Sequence, residues 1–327
     1  MRAILVHRLG PPEVLEWTDV PRPEPGPGQV LVQIHAAGVN FADTERRRGV
    51  YNRGLTLPWL PGLEGAGRVV AVGPETDPHW IDQRVAFWAM PPAVSGTYAE
   101  YAVASVDALV PLSDAIPFDL GASILSQGLT AYGLAFFATT LSPGTTVLIH
   151  AAAGGVGQLL VQLARRQGAR VLGTVSSPEK AAAVERLGAE PFLYGPDLPE
   201  RVAAATGGRG VDRGFDSVGK ATQDQSLAML APYGELIFFG DASGPPAPVD
   251  PDHLYDRCLK VGAFGLNVDR DRPAWATARK NLLAWVETGE LEISISRSFP
   301  LAEAAEAHRL LEGRSTTGKV VLLVDPG

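Results

Sequence analysis

His150-Ala151-Ala152-Ala153-Gly154-Gly155-Val156-Gly157 stands between a β-branched apolar run and an amphipathic segment, and that setting gives its glycines a purpose. The preceding Thr145-Thr146-Val147-Leu148-Ile149 reads as a buried parallel strand. The following residues, Gln158 to Arg166, carry apolar side chains at helical spacing, and Gly168 is placed to end the helix as its C′ residue. In the turn between them, Ala152, Gly154 and Gly157 fill the three small-residue positions of the G-x-G-x-x-G fingerprint, with Gly155 and Val156 between them. Small residues there let the backbone turn tightly and approach a pyrophosphate, while helix N–H groups face the anion. The same glycines would also serve a turn without a ligand, so the segments downstream carry part of the weight.

If Val171-Leu172-Gly173-Thr174-Val175 is the second strand, the residue beside the adenine ribose lies roughly 20 positions past the glycines. That residue is Ser176. No Asp or Glu ends this strand, so the carboxylate that would accept bonds from a free ribose 2′-OH and repel a 2′-phosphate is missing. Ser176, Ser177 and Lys180 offer hydroxyls and a cation instead, which predicts NADPH over NADH. A second role for Ser177-Pro178-Glu179, as the cap and first turn of the next helix, is compatible with this.

The chain of 327 residues, 46% of them hydrophobic, is long enough for two domains with sizeable cores. A net charge of −8 argues against a general nucleic-acid binder, and Arg46-Arg47-Arg48 is expected to be a solvated helix face. No uncharged apolar run long enough for a membrane span is expected, and the N-terminal residues lack a signal-peptide pattern, which predicts a cytoplasmic protein without membrane partners. The single cysteine, Cys258, is expected in the core.

The character of the chain changes twice. Residues 1–120 are punctuated by Pro and Gly, with short β-type runs at 29–36, 67–72, 84–89 and 98–102, and predict a compact antiparallel body. Across 121–266 strands alternate with helices, the pattern of a doubly wound α/β sheet. Residues 267–327 then add helices and strands that are expected to return to the first domain.

Gly38-Val39-Asn40-Phe41-Ala42-Asp43, Gly49-Val50-Tyr51, Pro61 to Gly67, Gly128 to Tyr132, His150 to Gly157, Asp216-Ser217-Val218-Gly219 and Thr317-Gly318-Lys319 are spread from end to end. In that order they resemble the zinc-free quinone oxidoreductase branch of the medium-chain dehydrogenase/reductase superfamily. The resemblance implies an α/β protein in which a Rossmann doubly wound parallel sheet is inserted in a GroES-like, β-rich catalytic domain. It also implies metal independence: Asn40 and Leu63 stand where alcohol dehydrogenases of the superfamily carry a cysteine and a histidine zinc ligand. The remaining histidines are scattered, mostly on the surface by expectation, with His35 satisfied in the core. A lone cysteine excludes a Cys₄ site.

Without a Lewis acid, hydride arrival must create a charge that modest donors can hold, and conjugate reduction of a quinone or an α,β-unsaturated carbonyl compound meets that condition. Asn40 offers an amide NH₂, Tyr51 a phenol and Thr130 a hydroxyl for a developing oxyanion. A tyrosine resembling Tyr51 is the proposed proton donor of related enoyl-thioester reductases, so an enoyl-CoA or enoyl-ACP reductase is the enzymatic alternative. A low-turnover NADPH-binding or nucleic-acid-binding module is the non-enzymatic one. Asn40 could equally be a turn residue satisfied locally, and Tyr51 a pocket wall. By resemblance, Tyr194, Ser217, Phe239, Gly240, Asn267 and Arg314 join the cofactor contacts, Asn267 near the nicotinamide and Arg314 at the phosphates. Leu57-Pro58-Trp59 and Phe87-Trp88 are bulkier than the family pattern around the substrate cleft. The final strand of the Rossmann series, within 259–266, is an apolar edge, and family members pair this edge across a twofold axis, which predicts a homodimer.

Overall fold

The computed structural model describes residues 1–51, 55–88, 96–266 and 273–325. The chain forms two compact units, Met1–Gln127 with Arg279–Gly327, and Gly128–Ala278. The breaks expected from sequence lie at 120 and 266, and the units divide several residues away from them. These divisions fall inside helices, where no loop composition marks them.

In the first unit β1 (Arg2–Leu5) pairs with β2 (Glu16–Asp19), and the long β3 (Gln29–Val39) runs straight into α1 (Phe41–Arg48). β4 (Glu64–Val72), β5 (Arg84–Trp88), β6 (Tyr101–Ser105) and β7 (Leu109–Pro111) complete the first stretch of its larger sheet. Alternation explains β3. Val30, Val32 and Ile34 are fully buried, while Gln33 and His35 point to a half-buried face where His35 stacks on Phe118. Register shifts beside Leu31 and Ile34 let this strand bend while it serves β4 on one edge. The strand expected at 98–102 is divided between two partners. Tyr98 O accepts from Ile4 N at 2.8 Å and Ala99 bridges to Ala3, whereas Tyr101–Ser105 pairs with β3.

A nearly continuous helical run follows, α2 (Phe118–Gly121) and α3 (Leu125–Gly133). Contrary to the sequence expectation, Phe118–Ala138 is long and apolar enough by composition to cross a membrane, but 72% of its apolar 18-residue window is buried inside the protein, as for a core helix.

The second unit alternates strictly. β8 (Thr146–Ile149), α4 (Gly155–Arg166), β9 (Arg170–Val175), α5 (Pro178–Arg186), β10 (Glu190–Leu193), α6 (Leu198–Ala205), β11 (Val211–Asp216), α7 (Gln223–Ala228), β12 (Leu230–Phe238), the short α8 (Asp252–Tyr255) and β13 (Lys260–Ala263) follow in order. The strands are parallel, in spatial order β10-β9-β8-β11-β12-β13. That is the dinucleotide-binding order, with the reversal beside β8. Val147, Leu148 and Ile149 are fully buried because helices cover both faces of β8. Such side chains each contribute about 1.5–3 kcal/mol by burial. Helix α4 buries Leu159, Leu160, Leu163 and Ala164 and stops at Gly168, whose φ of +81° is the left-handed C′ conformation anticipated from sequence.

After α9 (Ala274–Glu287), β14 (Ile295–Pro300), α10 (Ala304–Glu312) and β15 (Lys319–Leu323) close the first unit. β15 pairs antiparallel with β3 and parallel with β14, so the tail does return to the first sheet.

Three surface or core expectations change. Arg46 and Arg47 are buried rather than solvated, because the Arg47 guanidinium bonds Glu312 of α10 at 2.6 Å and Arg46 lies over the Trp59 ring. His308 of α10 is fully buried, with Nε2 3.1 Å from Tyr98 Oη and no partner for Nδ1 among the described residues. Cys258 is exposed, in a left-handed turn with φ of +52°.

Burial, and then the Arg47 charge, push the His308 pKa down to about 3. The folded protein thus holds this imidazole neutral while the unfolded chain binds a proton below about 6.5, so stability drops as pH falls through that value. The loss reaches about 2 kcal/mol by pH 5. Asp43 acts in the opposite sense, because burial raises its pKa to about 6 and the folded state keeps its proton longer. The difference between chains isolates the histidine: urea unfolding of His308→Gln loses about 2 kcal/mol less than the unmutated protein between pH 7 and pH 5. Equal losses would place the pH dependence elsewhere.

Candidate functional site

Between β8 and α4 the backbone makes the turn that the glycines predict. Ala151 takes a left-handed φ of +50°, and Gly154 is the extended N-cap residue of α4. A Cβ on Gly157 would lie 2.4 Å from Ala151 O and 2.7 Å from Ala152 Cα, a spacing that only glycine permits. Ala152, at the position usually held by glycine, is fully buried; its small methyl is within contact range of Gly173 on β9. Gly155 and Val156 open the helix, so the first-turn amides fit an anionic pyrophosphate.

A buried polar network holds this turn. His150 Nδ1 lies 3.1 Å from Thr174 Oγ1 and 3.3 Å from Tyr194 Oη, and Nε2 lies 3.0 Å from Ser226 Oγ. Ser226 has an Asp216 oxygen and Thr222 O as acceptors at 2.8 Å, which places the imidazole proton on Nε2 as the donor to Ser226. Burial depresses the His150 pKa against the raising effect of Asp216, keeping the ring neutral. Asp216 itself accepts from Val218 N and Gly219 N on one oxygen, and from Thr222 and Ser226 hydroxyls on the other. The network thereby ties the phosphate turn to the loop after β11, and of its members only Tyr194 was assigned a role from sequence. Their signal was present as the stretches His150 to Gly157 and Asp216 to Gly219.

At the end of β9, Ser176 is exposed and Ser177 caps α5, its hydroxyl accepting from Lys180 N at 3.4 Å, with Pro178 in the first turn. The capping role is therefore real. The Ser176 hydroxyl and the Lys180 side chain, whose pKa partial burial lowers, stand at the same strand end. Tyr194, just past β10, reaches the start of the phosphate turn, accepting from Ala151 N at 2.9 Å. Ser217, Phe239 and Gly240 follow β11 and β12, where loops 217–220 and 241–244 are joined through Ala242 N to Ser217 O and Ser243 N to Val218 O. Thr130 lies on α3 in this unit, half-buried. Asn267 lies outside the described residues.

The other candidates belong to the first unit. Asn40 is the N-cap of α1 and is buried; its backbone N donates to Asp43 Oδ2 at 3.0 Å. Its side chain is not satisfied by the turn alone. Oδ1 accepts from Lys319 Nζ at 2.7 Å, and Nδ2 is 3.5 Å from Gly38 O. Lys319 is also ion-paired with Glu64, both side chains being buried, and Glu64 Oε2 accepts from Ser126 N at 2.9 Å. Lys319 and Glu64 were legible only as parts of motifs, because their meeting joins β15 to β4. Tyr51 follows α1, half-buried, with its N–H on Glu45 O at 3.3 Å. Arg314 is exposed after α10 with φ of +56°. Leu63 is buried beside Glu64, and among the described residues no three His, Cys, Asp or Glu side chains gather in a group that could hold a metal ion.

Comparison with known proteins agrees with this architecture. The family described as alcohol dehydrogenase GroES-like domain matches residues 26–114, and that described as zinc-binding dehydrogenase matches 155–283. A quinone oxidoreductase of Pseudomonas aeruginosa is 41% identical over 321 residues, 96% of this chain and 97% of that one. A 2-haloacrylate reductase of a Burkholderia species is 36% identical, covering 98% of both chains. The crystal structure of Escherichia coli quinone oxidoreductase complexed with NADPH superposes with a TM-score of 0.92 at 32% identity, over 99% of this chain and 100% of that one. A GroES-like unit combined with a Rossmann sheet defines a medium-chain dehydrogenase/reductase. Within that superfamily the chain belongs to the zinc-free quinone oxidoreductase branch.

Proposed function

We propose that the protein is an NADPH-dependent oxidoreductase that reduces quinones or α,β-unsaturated carbonyl compounds. The observation that carries this reading is the Asn40 side chain, whose oxygen is engaged by Lys319 while its NH₂ remains as a donor. A donor of this kind suits a carbonyl oxygen that gains negative charge as hydride enters the β-carbon or quinone ring. The names of the relatives, quinone oxidoreductase and 2-haloacrylate reductase, both describe electron-poor, conjugated substrates.

The residues around the phosphate turn fit the dinucleotide. The first turn of α4 would hold the pyrophosphate, Ser176, Lys180 and Tyr194 the adenosine end, and Ser217, Phe239 and Gly240 the strand ends beyond it. When bound, NADPH supplies a hydride from its nicotinamide ring. Tyr51 and Thr130 offer hydroxyls for the substrate oxygen, and Tyr51 is the candidate proton donor. The deciding experiment is a panel of quinones, enones and enoyl thioesters with NADPH, followed by NADPH absorbance. Turnover of quinones or small enones is expected. Turnover of long enoyl thioesters alone would replace this reading with an enoyl-thioester reductase, and no turnover at all would leave a binding module.

The reading includes a cytoplasmic homodimer. The lone cysteine suits a reducing compartment, and β13 ends the parallel sheet with its outer edge unpaired among the described residues. Pairing that edge with its twofold mate would satisfy the exposed ladder groups. Light scattering at micromolar concentration is expected to give twice the chain mass, with Ala263→Pro weakening the dimer; a monomer mass for the unmutated chain would refute it.

A further inference from the structure

Lys319 stands at the start of β15, far along the chain from Asn40 and Glu64, yet its ammonium is buried between them. A buried lysine has three donors and no acceptor, so each group it meets must present an oxygen. One is a Glu64 carboxylate oxygen and another is Asn40 Oδ1. The flipped amide would set two N–H groups against an ammonium, and this fixes the Asn40 orientation. Its NH₂ is thereby turned away from Lys319, with Gly38 O as a long 3.5 Å acceptor.

The backbone is shaped around the same pair. A Cβ on Gly38 would fall 2.7 Å from Glu64 Oε1 and 2.3 Å from Ala122 O, so the end of β3, which leads into Asn40, closes on the carboxylate at a distance only glycine allows. Ser126 N holds the other Glu64 oxygen at 2.9 Å. The charge pair is therefore anchored on both sides.

We propose that Lys319, with Glu64 as its fixed counterion, is a positioning residue that makes Asn40 a donor-only group for the substrate oxygen and strengthens its N–H by polarising the amide. The proposal rests on Asn40 acting as the oxyanion donor. Its substrate consequence is selective. The site accepts compounds presenting a carbonyl or quinone oxygen acceptor, and it gains nothing from a substrate hydroxyl that would need Asn40 Oδ1 as its acceptor.

The test is a mutant cycle on the full protein with NADPH and both a small quinone and a small enone. Lys319→Met alone would strand the Glu64 charge in the interior, so it is combined with Glu64→Gln as a charge-neutral pair. Melting temperature and the Kd for NADPH, by fluorescence titration, report folding and cofactor binding. The neutral pair is expected to lower kcat about tenfold or more, with the Kd for NADPH within about twofold of the unmutated value. Added to Asn40→Ala, the same pair is expected to lower kcat no further, because its effect passes through Asn40. Lys319→Arg, which keeps the charge and N–H donors, is expected to recover most of the loss. Should the neutral pair fail to fold, a second charge-neutral pair, Lys319→Leu with Glu64→Gln, with and without Asn40→Ala, carries the same cycle. Losses that multiply in the combined variant would overturn the proposal, as would full activity in the folded neutral pair. Full activity in Asn40→Ala would instead remove the oxyanion reading on which it rests.

Discussion

Asn40→Asp lowers kcat by about 100-fold or more, the scale on which loss of one oxyanion donor is felt. The substitution keeps the shape of the side chain and an oxygen for Lys319 Nζ, so it adds no cavity at the head of α1. What it removes is the NH₂ donor, and it places a carboxylate where the substrate oxygen gains negative charge. Asn40→Ala loses the donor too, but also takes an acceptor from the buried Lys319 ammonium, which costs roughly 1–3 kcal/mol of stability. The two variants therefore separate chemistry from folding. Both lose kcat on the best quinone or enone, only the alanine variant melts markedly lower, and the Kd for NADPH stays within about twofold in each. A folded Asn40→Asp protein with unimpaired kcat would show that this amide takes no part in the reaction.

Ser176→Asp reverses the cofactor preference. The unmutated protein binds NADPH at least about tenfold more tightly than NADH, because a charge-assisted hydrogen bond to the 2′-phosphate is worth roughly 1.5–3 kcal/mol. A carboxylate at the exposed end of β9 adds an acceptor for a free ribose hydroxyl and repels the phosphate, so NADH becomes the tighter ligand. Lys180→Ala raises the Kd for NADPH and scarcely alters that for NADH. The lysine backbone N–H caps on Ser177 in either case, so the side chain is removed without loss of the cap. Preference falls with added salt, since this end of the site is solvated. Fluorescence titration measures all of these, and equal affinities in the unmutated protein would remove the role of this strand end in phosphate recognition.

Local chemistry made the second unit legible almost residue by residue. The strand before His150, the small residues of the turn, the helix to Gly168 and the missing acid at Ser176 are short-range patterns, each set by backbone sterics or by the burial of one face. The order of the strands, with its reversal beside β8, is seen only in the folded sheet. Strand ends were less secure, as at 98–102, because two strands compete for one run and only their packing decides which residues each receives. Arg46, Arg47 and His308 misled for a related reason. Composition predicts polar residues outside, and only tertiary packing supplies the partners that let them be buried: Glu312 of α10 for Arg47, the Trp59 ring for Arg46 and Tyr98 for His308.

The sequence by itself determined the alternation of strands and helices, the small-residue turn before α4, the absence of an acid at the end of β9 and the family to which the chain belongs. Asn40 was visible as a candidate, but whether it was a turn residue or a directed donor was not. Tertiary structure supplied the contact on which the donor reading rests, by bringing Lys319, paired with Glu64, from distant strands to the Asn40 oxygen. The tethering of the phosphate turn through His150, Ser226 and Asp216 was decided in the same way. Periodicity and turn chemistry act over a few residues and are written along the chain. A buried charge or hydrogen bond between remote positions is satisfied only once the sheet register has fixed which side chains meet.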